Sequence, residues 1–191
     1  MKQHVTVFGS GRIGKDDPGY SEAGRLGRLL AGAGFIHVSG GYGGTMEAGA
    51  RGAREAGGET VGITIESWGP PNPFITRCHP MPDLFSRLKM LLETGDAYNV
   101  LPGATGTLIE LAFAWERCNK GLDSKKPIIL LGTFWKSVVE TVKTHMPLSP
   151  GGGESIPGCL FGDFLWETKT PEEAVQLLNE LLKKGGGVES H

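Results

Sequence analysis

With 191 residues, a net charge of −2 and a pI near 6.2, the chain is long enough for one core-bearing domain and carries no compositional footprint for nucleic acid. Three cysteines, Cys78, Cys118 and Cys159, stand without C-x-x-C spacing and read as reduced thiols of a cytoplasmic protein. The N-terminus enters a strand pattern at once and no apolar run approaches ~20 residues, so neither a signal peptide nor a membrane span is expected.

In chain order, Val5–Phe8 reads as a strand, followed by a helix over Tyr20–Ala33. Phe35–Ser39 is the second strand, and a helix follows from Thr45 to Ala56. Thr60–Ile65 is the third strand and Ile75–Cys78 a short fourth. A helix is expected over Asp83–Thr94, then a strand at Ala97–Leu101 and a helix over Gly106–Asn119. Pro127–Leu131 is a buried strand and Phe134–His145 a helix, with Gly151–Gly153 in a surface loop. The last helix opens on its own capping signal, Thr170-Pro171-x-Glu173, and runs to Lys184. Residues 1–184 thus form one domain, and 185–191 a frayed polar tail.

Strands alternating with helices imply a doubly wound α/β fold, a parallel sheet with helices on both faces. Such folds bind ligands at the carboxyl ends of their strands. Three of those ends carry glycine: Gly9-Ser-Gly11, Gly40-Gly-Tyr-Gly-Gly44 and Pro102-Gly103 with Gly106. The first extends to Gly9-Ser-Gly-Arg-Ile-Gly14, a G-x-G-x-x-G string. Its context fails for a dinucleotide. Lys15-Asp-Asp-Pro-Gly19 intervenes before any helix, and Ser39-Gly40-Gly41 stands where an acidic residue should close the second strand.

Metal chemistry finds no support in the five histidines, which share no ligand spacing with one another or with cysteine, and no P-loop is present. Leu84, Met90, Leu91, Leu111, Phe113 and Trp115 read as core positions. The densest signal is Leu101-Pro-Gly-Ala-Thr-Gly-Thr-Leu-Ile-Glu110. Gly103 and Gly106 let backbone approach a ligand, and a helix beginning near Thr107 would aim unpaired N–H groups at a phosphate. Thr107-x-x-Glu110 is equally a capping box, and the two readings stand level. Arg87, fifteen positions before Pro102, is either a surface partner of Asp83 at i,i+4 or a fixed cation for a phosphate.

Gly40-Gly-Tyr-Gly-Gly-Thr-Met46, Arg87 with Asp96, and Pro102-Gly-Ala-Thr-Gly-Thr-Leu-Ile-Glu110 together resemble the LOG ("Lonely Guy") family. Its pattern is P-G-G-x-G-T-x-x-E with an upstream R-K-x-x-M, and its members often bear the label "possible lysine decarboxylase". The resemblance runs from Val5 to about Val142. It implies a Rossmann-like, usually dimeric protein that needs no cofactor. Its activity would be that of a phosphoribohydrolase, splitting a purine or cytokinin nucleoside 5′-monophosphate into free base and ribose 5-phosphate. Carried over by position, the catalytic pair falls on Arg87 and Glu110. The phosphate and substrate contacts fall on Pro102, Gly103, Thr105, Gly106 and Thr107, with Gly40, Gly41 and Gly44 lining the nucleotide and Ser10 near it.

The physical account is consistent, since an oxocarbenium-like ribose needs a nearby carboxylate and a positioned water. Three positions depart from the pattern: Ala104 for the second glycine, Leu88 for the lysine and Leu91 for the methionine. Arg87-x-x-x-Leu-Leu92 is similar to a branch that includes molybdenum-cofactor carrier proteins. The alternative is therefore a non-catalytic binder or carrier of a nucleotide or pterin phosphate. A DNA-binding protein of the DprA type is disfavoured by the acidic pI and the lack of a basic stripe.

Overall fold

The computed structural model describes residues 2–122, 126–145, 159–161 and 163–184. Six of the strands fall close to their expected places: β1 His4–Phe8, β2 Ile36–Ser39, β3 Thr60–Ile65, β4 Arg77–Met81, β5 Ala97–Val100 and β6 Ile128–Leu131. Two more, β7 Cys159–Phe161 and β8 Leu165–Thr168, were not anticipated. The helices are α1 Pro18–Gly32, α2 Thr45–Glu55, α3 Leu84–Thr94, α4 Thr105–Asn119, α5 Lys136–Lys143 and α6 Pro171–Lys184. The expected glycine loop at 151–153 and the tail at 185–191 lie outside the described residues.

The eight strands form one sheet in the order β4-β3-β2-β1-β5-β6-β8-β7, parallel throughout except for β7, which runs antiparallel to β8. This is a Rossmann-like α/β fold. Side chains alternate across the sheet, because successive residues of a strand point to opposite faces. Val5 and Val7 join a core with Leu26 and Leu30 of α1 and Leu178 of α6. Phe8, Val100 and Leu130 join the opposite core with Leu91 of α3, Leu111 of α4 and Val139 of α5. Burial on both faces is what near-continuous apolar strands such as Ile-Ile-Leu-Leu of β6 require.

The topology decides where a ligand can go. The chain winds outward from β1 through β2 and β3 to β4, then returns to the other side of β1 to place β5. The connections leaving β1 and β5 therefore diverge to opposite faces and open a crevice at their carboxyl ends. The loops after β1 and β5 are two of the three glycine-bearing ones, and the third, after β2, adjoins them.

The helix starts divide into two kinds. Asp17 caps α1 by accepting the Gly19 N–H at 2.8 Å, and Asp83 caps α3 by accepting the Ser86 N–H at 2.9 Å. At α6 the Thr170 hydroxyl accepts the Glu173 N–H at 3.2 Å, while the Glu173 carboxylate takes the Lys169 N–H at 2.7 Å. The α2 and α4 starts, which follow the glycine loops, have no side-chain cap.

Candidate active site

The three glycine loops are stitched together by backbone. The Ser10 N–H donates to the Pro102 carbonyl at 3.2 Å, which joins the β1 and β5 loops across the crevice. The Ser10 carbonyl accepts the Thr45 N–H at 2.9 Å and the Thr45 hydroxyl at 3.2 Å, which ties in the start of α2. Gly44 closes this junction with φ of +63°, and a β-carbon there would strike the Ser10 carbonyl oxygen. No other residue fits that position without moving the loop.

The start of α4 resolves the question that the sequence left open. The helix begins at Thr105, one residue before the expected Gly106–Asn119 range and two before Thr107, with Ala104 in the cap position. Thr107 is consequently the third residue of the helix and cannot cap it. Its side chain is buried against Gly103, where a β-carbon would collide with the Thr107 hydroxyl. No capping box forms with Glu110. The N–H groups of Thr105, Gly106 and Thr107 have neither an intrahelical partner nor a side-chain cap, and this is the arrangement that seats an anion.

Glu110, one turn into α4, is half-buried, and among the described residues its carboxylate has neither a hydrogen bond nor an ion pair. Removal from water raises its pKa to about 7, an effect only partly opposed by the field of Arg87. A carboxyl in that state exchanges its proton near neutrality.

Arg87 is not the surface partner of Asp83. It is 8% exposed, and the Asp83 carboxylate is occupied by the N–H and hydroxyl of Ser86. The Arg87 Nε donates to the Ile63 carbonyl at 2.7 Å, which aims the guanidinium from α3 across the end of β3. The ring centroids of Tyr42 and Trp68 lie 5.8 and 5.9 Å from its central carbon. Its outer edge lies against Gly40, where a β-carbon would occupy the space of Nη2. Burial works against the Arg87 charge, and Glu110 and Tyr42 support it. Among the described residues the two terminal nitrogens have no hydrogen-bond partner, which leaves them available to a ligand.

Three contributors to this site were missed from sequence. Tyr42 is fixed by two bonds at its hydroxyl, donating to the Ile65 carbonyl at 3.1 Å and accepting the Ile65 N–H at 2.8 Å. Asn72 holds the turn that carries it. Its Nδ2 donates to the carbonyls of Gly41 and Tyr42 at 3.1 and 2.9 Å, and its own N–H donates to Gly41 at 2.8 Å. Trp68 ends a short 3₁₀ turn, Glu66–Trp68, and is 58% exposed. The string Trp68-Gly-Pro-Pro71, an aromatic among turn residues just past a strand end, was the available signal.

The model of the SLOG cluster4 family matches residues 2–148, which contain every element of this site. The chain belongs to that family. It is 32% identical over 132 residues to a cytokinin riboside 5′-monophosphate phosphoribohydrolase of Rhodococcoides fascians, a match that covers 66% of each protein. Among solved structures, it is similar to a molybdenum cofactor binding protein of Rippkaea orientalis, with a TM-score of 0.74 at 22% identity over 95% of this chain and 98% of that one. The molybdenum cofactor carrier protein of Chlamydomonas reinhardtii gives a TM-score of 0.74 at 20% identity, covering 96% and 99%. At these identities the two structures bear on the fold alone.

Two departures from the LOG pattern can be placed within this SLOG cluster4 chain. Leu88 is buried and packs into the core beneath α3, so its apolar character serves packing. Ala104 is exposed at the cap position of α4. Among the described residues, no group of three or more His, Cys, Asp or Glu side chains is placed to hold a metal ion. No helix there is long and apolar enough to cross a membrane.

Proposed function

We propose that the chain is a phosphoribohydrolase that cleaves the N-glycosidic bond of a purine nucleoside 5′-monophosphate to free base and ribose 5-phosphate. The observation that carries this reading is the pairing of Arg87 and Glu110. One is a buried cation with a free edge and the other an unpartnered carboxylate, and each feels the other's charge without an ion pair between them. Purely structural charges at such burial are normally paired. The kinship with the Rhodococcoides enzyme supports the same activity.

In this reading the phosphate sits on the N–H groups of Thr105, Gly106 and Thr107, in the loop opened by Pro102 and Gly103. Gly40, Gly41 and Gly44 line the nucleotide, with Ser10 near it. Arg87 holds the phosphate or ribose, or steadies charge on the departing base. The C1′–N bond breaks with its electron pair going to the base, leaving an oxocarbenium-like ribose. Ionised Glu110 stabilises that cation and takes a proton from the water that adds to C1′, and this proton passes on to the departing base, which leaves neutral as the carboxylate is restored. A pKa near 7 suits this exchange, because proton transfer is most effective when the group's pKa lies near the working pH. No cofactor or metal enters the scheme.

The protein would act in the cytoplasm as a homodimer. The apolar residues Leu84 and Phe85 of α3 and Leu108, Ile109 and Phe113 of α4, all exposed, provide the face for it. Incubation with AMP and chromatography is the direct test, and adenine and ribose 5-phosphate are expected in equal amounts. The second reading, a carrier of a nucleotide or pterin phosphate, is favoured by the shared fold of the two molybdenum cofactor proteins. Stabilisation by AMP without release of adenine would select the carrier.

A further inference from the structure

We infer that Trp68 is the stacking platform for the base of the bound nucleotide and so determines which ligands the crevice accepts. This rests on the nucleotide reading proposed above and adds to it the residue that recognises the ring. The indole projects at the carboxyl end of β3, beside the Gly40 loop, and is the most exposed of the four tryptophans. The other three, Trp115, Trp135 and Trp166, are buried.

Exposure of so large a ring needs a reason, and the surroundings supply one. Trp68 is anchored on the site side by Tyr42 and Arg87, and more than half of it stays exposed. Its ring lies 5.9 Å from the Arg87 carbon and 5.8 Å from the Tyr42 ring, at an interplanar angle of 41°. Both neighbours are themselves immobilised, Tyr42 by Ile65 and Arg87 by Ile63. The indole is therefore held at the crevice with apolar surface left uncovered. Gly69, at φ of +94°, turns the chain away immediately afterwards. A heteroaromatic ring linked through a ribose to a phosphate on α4 would cover that surface. Stacking of a base on an aromatic side chain is tolerant of the base, because every base has a π-face. The site should therefore require a ring without demanding one particular purine.

The test compares AMP with ribose 5-phosphate, which carries the phosphate but no ring, on wild type, Trp68→Ala and Trp68→Phe. Circular dichroism and melting establish that each variant is folded. Calorimetric titration, made in the Glu110→Gln background so that AMP is not consumed, is expected to give an AMP affinity about 10-fold or more weaker for Trp68→Ala, while Trp68→Phe stays within about 3-fold of the protein that keeps Trp68. Ribose 5-phosphate should bind all three alike. AMP, but not ribose 5-phosphate, should also shield wild-type tryptophan emission from acrylamide, and Trp68→Phe should abolish that shielding. Undiminished AMP affinity in Trp68→Ala would overturn the inference and leave the phosphate site standing. Equal loss of both ligands would overturn it as well, by making Trp68 a support for Arg87. A wild type that binds neither ligand overturns the nucleotide reading and this one together.

Discussion

Glu110 is held in a state that costs the fold stability. A carboxyl whose pKa rises from 4.5 to about 7 keeps a proton that the unfolded chain has already lost. Stability from this group is thus complete below pH 4.5, declines as pH rises, and is lost above about 7. The shift corresponds to a penalty of about 3 kcal/mol on the alkaline side. Glu110→Gln removes the titration and keeps the shape. It should raise the melting temperature at pH 8 and leave it nearly unchanged at pH 4.5. Turnover of AMP should fall about 100-fold or more, because the neutral amide can neither take a proton nor support a cation. In wild type, kcat/KM should decline below pH about 7, following the ionised carboxylate. Equal activity in the variant and wild type would make Glu110 a spectator. A gain of stability with a loss of activity is the expected mark of a functional residue held against its own preference.

At the scale of elements, the strands near the crevice were legible because they are short apolar runs punctuated by glycine. The remainder was lost where local signals conflict with position in the sheet. β8, Leu-Trp-Glu-Thr, has four residues and little periodicity, and it is a strand because it pairs in register with β6. β4 begins two residues later than expected and contains Pro80, which an edge strand tolerates because one side of its ladder is unpaired. Thr107-x-x-Glu110 imitates a cap, but α4 starts at Thr105, and only the packing of Thr107 on Gly103 reveals this. Arg87 and Asp83 have the spacing of an ion pair, yet Asp83 faces back to the helix start and Arg87 faces the sheet. Phe113 and Leu84 were read as core from periodicity and are exposed, whereas Leu91, Leu111 and Trp115, read the same way, are buried. That error is the basis of the dimer proposal, since apolar residues on two neighbouring helices need a cover. Phe85, at 83% exposure, is the most sensitive probe. Phe85→Glu should shift sedimentation from dimer to monomer without lowering the melting temperature measured at low concentration. A wild type that sediments as a monomer at all concentrations would discard the dimer.

For the whole molecule, a second buried group bends the dependence of stability on pH in the opposite direction. His37 lies on β2 between Val5 and Thr60, fully buried, with α2 approaching so closely that a β-carbon on Gly49 would strike its ring. Among the described residues neither ring nitrogen has a hydrogen-bond partner, and burial pushes the pKa down from 6.5 to about 4. Between those values the unfolded chain binds a proton that the folded chain refuses. Stability therefore falls as pH drops below 6.5, and about 3 kcal/mol is lost once pH is below 4. Glu110 acts with the reverse sign over nearly the same interval, from 4.5 to about 7. The two slopes oppose each other, so wild-type stability set by denaturant melts should be nearly flat from pH 4.5 to 6.5. Single substitutions separate them. Glu110→Gln should leave a curve that rises with pH across this interval, and His37→Leu one that falls. The leucine also alters packing beneath α2, but that contribution is constant with pH and displaces the curve without changing its slope. Curves of the two variants that remain parallel to wild type would mean that neither group titrates as its burial requires.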